Sequence, residues 1–278
     1  MIEVTEALYG PYRWERYDLL ILPPSFPYGG MENPRLSFIT PTVIVGDKSL
    51  VSLIAHELAH SWSGNLVTFA SAKHGWLNEG FTSYVENRIV ESVYGKDVSD
   101  MEYVIARNAL RDSIAGMPEA TQALAVKPGT ELDADDALSA VSYDKGAWFL
   151  QFLEQRFGRE NFDAFLRGYF DHFAFQSITT EQFLEYAKAN LFDKFPDTVT
   201  DAEIQEWVYA PGIPAYAPQV MSRNFGIVDS ARLAWLGSPS LPPRQITDAW
   251  STQEWVHFIE GLPETLTQEQ LKQLDEAY

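Results

Sequence analysis

The stretch "LVSLIAHELAHSWSGNLVT", residues 50–68, carries two histidines and a glutamate inside an otherwise apolar run. His56 and His60 are four residues apart, so on a helix they stand one above the other on a single face. Two imidazoles at that spacing hold one divalent ion from the same side. Glu57 is displaced around the helix from both. A carboxylate there stands beside the ion without ligating it, where a general base belongs. The pentamer alone arises by chance in on the order of one chain per hundred of this length, so the rest of the set decides. Zinc needs a third protein ligand and one open position. The candidate is Glu79 in "WLNEGFTSYVE", 19 residues after His60. By itself it reads as a first-turn acid favoured by the helix dipole. Two antiparallel helices would bring it onto the imidazoles.

The elements that must position these groups are legible in outline. Leu50, Ile54, Leu58 and Trp62 fall on or near one face of a first helix, with Asp47 or Ser49 as its cap and Gly64-Asn65 as its stop. A second helix begins at Asn78 or Glu79 and runs to about Tyr94, closed by Gly95. Upstream, "YDLLILP" (17–23) reads as a buried strand ended by prolines. "PPSFPYGGMENP" reads as a loop of unusual backbone geometry, and "RLSFITPTVIV" as another strand. Helical spacing recurs near 100–115, 144–157, 160–172, 180–191 and 201–209, and 116–140 is a long loop rich in Gly, Pro and Asp. "YAPGIPAYAP" (209–218) reads as a linker, and 219–278 as helical again.

Composition narrows the function classes. Of 278 residues, 46% are hydrophobic and 21% charged, enough apolar material for a packed core. The net charge of −19 argues against nucleic acid and against anionic membranes as partners. With no cysteine, thiolate metal sites and cysteine nucleophiles are excluded. No apolar run is long enough for a membrane span. The start lacks a basic segment followed by an apolar one, so it is not a signal peptide; a cytoplasmic setting is the expectation, for a protein whose N-terminal part would precede this chain.

The motif set has a family resemblance. HExxH, then 18 residues, then Glu inside "NEG" resembles the gluzincin metallopeptidases. "GGMEN" (29–33) narrows this to their zinc aminopeptidase family. "LYGPYRWERYDLLILPPSFPYGGMENP", "HELAHSWSGNLVT" and "SYDKG" look most like the leukotriene hydrolase and aminopeptidase B branch. The resemblance implies an α+β, mostly α chain. A thermolysin-like catalytic domain with a few N-terminal strands would span 1–208, joined through 209–218 to the start of an all-α helical-repeat domain over 219–278. It also implies an N-terminal β-rich domain before this chain and more helices after it.

The implied activity is removal of N-terminal residues from short peptides with a free amine. His56, His60 and Glu79 would hold one zinc ion per chain. Glu57 would be the general base, acting on a bound water whose pKa zinc lowers to about 7. Glu32 would pair with the substrate's α-ammonium, and its neighbours Gly29, Gly30, Met31 and Asn33 would line the peptide. Tyr143 in "SYDKG" would donate to the oxyanion. Asp135 aligns with an aspartate used by the leukotriene branch in epoxide opening. Leu138 stands where that branch implies a tyrosine, which counts against the second activity. The alternatives are a bifunctional aminopeptidase and epoxide hydrolase, or a non-catalytic fragment that keeps the metal site. His74, His172 and His257 sit in no motif and read as structural or surface groups.

Overall fold

The computed structural model describes residues 1–125, 138–237, 242 and 244–277, and these are mostly helical. A short helix, α1 (Ile2–Tyr9), leads into strands β1 (Asp18–Ile21), β2 (Gly30–Met31) and β3 (Leu36–Ile39). Helix α2 (Val51–Ala59) is followed by β4 (Val67–Phe69), α3 (Trp76–Tyr94) and α4 (Lys96–Gly116). A π-turn at Val141–Lys145 runs straight into α5 (Gly146–Phe157). Then come α6 (Arg159–His172), β5 (Gln176–Ile178), α7 (Thr180–Ala187) and α8 (Asp201–Tyr209). The C-terminal part is α9 (Arg223–Gly237), α10 (Arg244–Thr247), α11 (Thr252–Glu260) and α12 (Gln268–Ala277).

Helix α3 is the axis of the larger part. From Trp76 to Val90 nearly every residue is buried, polar ones included. Such a helix is enclosed on all sides, here by α2, α4, α5 and the π-turn. Trp76, Phe81, Phe149, Tyr169 and Phe183 interlock around it, with Phe81 and Tyr169 stacked at 5.0 Å. Arg88 fixes the far end of α3 to α6 through a bidentate pair with Asp163, at 2.6 and 2.9 Å. Forked pairs of this kind set orientation as well as affinity. Val228, Trp235 and Phe258 form a second, smaller core among the C-terminal helices.

Two local expectations are corrected. Strand β1 is not buried: Leu19, Leu20 and Ile21 are each exposed by about two fifths. It is an edge of a three-stranded sheet ordered β1-β3-β2, parallel to β3 on one side and with no strand on the other among the described residues. Apolar character gave the strand but not which faces would be covered. Nor does Asp47 or Ser49 cap α2. Asp47 Oδ1 instead accepts from Ser49 N and Oγ, at 2.8 and 2.6 Å, closing a local turn before the helix starts.

The segment 209–218 is packed against its neighbours. Lys145 Nζ donates to Ala210 O at 2.8 Å, and Trp148 Nε1 donates to Pro218 O at 2.7 Å. No helix among the described residues is long and apolar enough to cross a membrane.

Candidate active site

Helix α2 carries His56, with His60 one turn on at its C-cap, and their Nε2 atoms lie 3.1 Å from each other. Helix α3 crosses beside it and presents Glu79 from its first turn. Glu79 Oε2 lies 3.4 Å from His56 Nε2 and 3.5 Å from His60 Nε2. Both Nδ1 atoms face acceptors. His56 Nδ1 meets Glu86 Oε2 at 2.9 Å; His60 Nδ1 meets Ser63 O and Asn78 Oδ1, each at 3.0 Å. That assigns the ring protons to Nδ1 and turns both Nε2 lone pairs toward the Glu79 oxygen.

These three atoms fit a zinc ion. Ligands about 2.0–2.2 Å from one tetrahedral centre stand roughly 3.3–3.6 Å apart, close to the triangle observed. Glu79 Oε2 is buried with no hydrogen-bond partner, a costly state for a carboxylate oxygen unless a cation meets it.

Glu57 points from the same helix into a neighbouring cavity of about 390 Å³, lined among others by Tyr28, Gly29, Gly30, His56 and Tyr143. Burial, with Glu32 and Glu79 nearby, pushes its carboxyl up to about 8 against the opposing pull of His56. Its Oε2 is buried and unpartnered. Gly30 lies directly over this carboxylate: a Cβ there would stand 2.0 Å from Glu57 Oε1. Only glycine allows the β2 backbone so near.

Glu32 reaches the group from the end of β2. Asn78 Nδ2 donates to its Oε1 at 3.3 Å, and Asn65 Nδ2 donates to its backbone carbonyl at 2.8 Å. Glu32, Glu57 and His60 have donor atoms within 4.8 Å of one another. Met31 lies on β2. Asn33 is turned to its own segment, its Nδ2 3.5 Å from Met31 O. Tyr143 projects from the π-turn, its ring stacked on His56 at 6.0 Å between centroids. Burial and the carboxylates of Glu79 and Glu32 push its phenol up, so it keeps its proton. Asp135 lies outside the described residues, and Leu138 is exposed. Of the histidines outside any motif, His74 bonds Thr180, His172 stacks on Tyr186 and His257 pairs with Asp229.

Sequence reasoning missed Glu86, Asn78 and Thr82. Thr82 Oγ1 lies 3.1 Å from His60 Nδ1 and donates to Ser63 O. One signal was available: Glu86 follows Glu79 by seven residues, two helical turns, and so shares its face.

The Peptidase family M1 domain matches residues 1–206 of this sequence. The chain belongs to peptidase family M1. Among M1 relatives, aminopeptidase B of Rattus norvegicus is 39% identical over 286 residues, covering 98% of this chain and 44% of that protein. Leukotriene A-4 hydrolase of Xenopus laevis is 44% identical over 221 residues, 79% of this chain and 36% of that protein. The M1 fold is shared with solved structures. Native leukotriene A4 hydrolase from Saccharomyces cerevisiae superposes with a TM-score of 0.87 at 32% identity, over 99% of this chain and 48% of that one. An M1 zinc metallopeptidase from Deinococcus radiodurans gives 0.61 at 25% identity, over 79% of this chain and 45% of that one. The chain thus spans less than half the length of these M1 relatives.

Proposed function

We propose that this chain carries the catalytic centre of a zinc-dependent aminopeptidase acting on short peptides with a free N-terminus. The observation that carries the reading is the triangle of His56 Nε2, His60 Nε2 and the orphaned Glu79 Oε2, with Glu57 and Glu32 beside it. One zinc ion per chain would be held there. When bound, it supplies Lewis acidity, lowering the pKa of a coordinated water to about 7 and polarising the scissile carbonyl.

The remaining steps belong to the chain's own groups. Glu57 Oε2 accepts a proton from the attacking water and returns it to the leaving amine. Tyr143 donates its hydroxyl proton in a hydrogen bond to the developing oxyanion. Glu32, held by Asn78 and Asn65, pairs with the substrate's ammonium and fixes how far the peptide enters. Strand β2 is an edge strand. On the side away from β3, where no strand lies among the described residues, Gly30 offers backbone groups to an extended peptide. The family relatives named aminopeptidase B and the zinc metallopeptidase neighbours support the same reading.

The test is a panel of aminoacyl reporter substrates on the zinc-loaded protein, with and without chelator. Free-amine substrates are expected to be cleaved, the chelator to abolish turnover, and zinc to restore it. Equal cleavage of N-acetylated peptides would remove Glu32 from its assigned role.

A further inference from the structure

A second cavity, of about 260 Å³, lies between the first turn of α2, the ends of α3 and α4 that meet at Gly95, and the start of α11. Of the residues lining the substrate cavity it shares only Ser52, and no member of the zinc set lines it. Its walls are mainly apolar: Val51, Val90, Val98, Met101 and the Tyr94 ring. Cavities of drug-sized ligands start at roughly 300 Å³, so this one suits a smaller molecule, one ring or a short branched chain.

Two acidic residues, Asp47 and Glu102, line this largely apolar wall. Glu102 accepts a hydrogen bond from Gln253 Nε2 at 3.2 Å on one oxygen. Among the described residues no cation pairs with it. Burial pushes its carboxyl up to about 7, and Glu86 adds to the shift. The other charged groups of the cavity are already engaged. Asp47 is closed on Ser49, and the Lys48 ammonium lies over the Tyr94 ring, 5.8 Å from its centroid. An anion entering here meets the repulsion of Glu102 and Glu86. A neutral apolar molecule would leave the Glu102 carboxyl without an ion-pair partner, either charged at a cost or protonated. An ammonium on an apolar body answers both requirements.

We propose that this cavity is a second ligand site, taking a compact apolar amine with its ammonium on the Glu102 carboxylate and its body against Val90, Val98 and Met101. The site is separate from peptide hydrolysis and would stand if that assignment failed.

The probe is benzylamine, added to the zinc-loaded chain carrying carbon-13 methyl methionine. The sequence has five methionines; Met101 lines this cavity and Met31 lies on β2 beside the substrate cleft. A saturable shift of the Met101 methyl is expected, unchanged in Glu32→Gln. Benzyl alcohol, of the same shape without the charge, should bind roughly tenfold or more weakly. Glu102→Gln should weaken benzylamine by a similar factor, and Val98→Trp, which fills the cavity, should remove the shift. A response at Met31 with none at Met101 overturns the proposal. So does equal binding of benzyl alcohol, a comparison that needs no variant, or undiminished affinity in a folded Glu102→Gln.

Discussion

Gly80 and Gly146 meet so closely that a Cβ built on either stands 2.8 Å from the Cα of the other. Gly80 follows Glu79 on α3; Gly146 follows the π-turn that carries Tyr143. The contact sets the distance between the helix that offers Glu79 and the turn that offers the phenol. Lys145 locks the same turn from behind, its buried Nζ donating to Gln122 O and Ala210 O at 2.8 Å each. π-turns inside helices often mark functional sites, and here the extra residue aims Tyr143 along the His56 ring.

Gly146→Ala is expected to push the π-turn off α3. Overpacking of this kind costs about 1–3 kcal/mol, readable as a lower Tm. Because Tyr143 shifts with the turn, kcat should fall more than KM rises. A variant with lowered Tm and unchanged kcat would separate the turn from the chemistry.

Glu57 and His60 should behave differently on replacement. Glu57→Gln keeps the metal, measured by elemental analysis, and loses roughly 10²–10⁴ in kcat. His60→Ala loses both metal and activity. A Glu57→Gln protein with full turnover would refute the assigned base.

Glu86 orients His56 through the 2.9 Å contact with Nδ1. Glu86→Gln is expected to weaken zinc affinity about 10–100-fold, measured by competition with a chelating dye. Unchanged affinity would mean that packing alone holds the ring.

Glu102 predicts a stability that varies with pH. Its folded-state pKa, about 7, lies above the unfolded value of 4.5. Between those values the native state keeps a proton that the unfolded chain has released. Stability therefore falls as pH rises through this window, and the deficit is complete above about 7. Glu102→Gln keeps an acceptor for Gln253 and removes the charge that faces Glu86. It should be more stable than the parent above that pH, by on the order of 2 kcal/mol. The gap should close as the pH approaches the unfolded value. Melting curves across the range check the sign, and a gap that widens in acid would contradict it.

Local periodicity made part of the centre readable. A four-residue step on a helix aligns His56 with His60 whatever surrounds them, and α2 reaches them, though it ends at Ala59 with His60 as its C-cap and not at the expected stop, Gly64-Asn65. Helix α3 starts at Trp76, two or three residues before the expected position, because a 3-10 turn at Ala72–His74 delivers the chain to it without a side-chain cap. The segment near 144–157 was readable as helical, but the π-turn at its head was not. The π-turn ends at Gly146, which packs against Gly80 on α3, a long-range contact that local spacing does not contain.

The sequence by itself determined the donor types and their spacing along each helix, because those follow from side-chain chemistry and a fixed helical repeat. Only the tertiary structure decided that α3 crosses α2 where Glu79 closes the triangle. It also decided that Asn78, Thr82 and Glu86 lock the two rings, and that β1 keeps an open face. Those outcomes depend on which surfaces bury each other, a long-range property that no short window of residues contains.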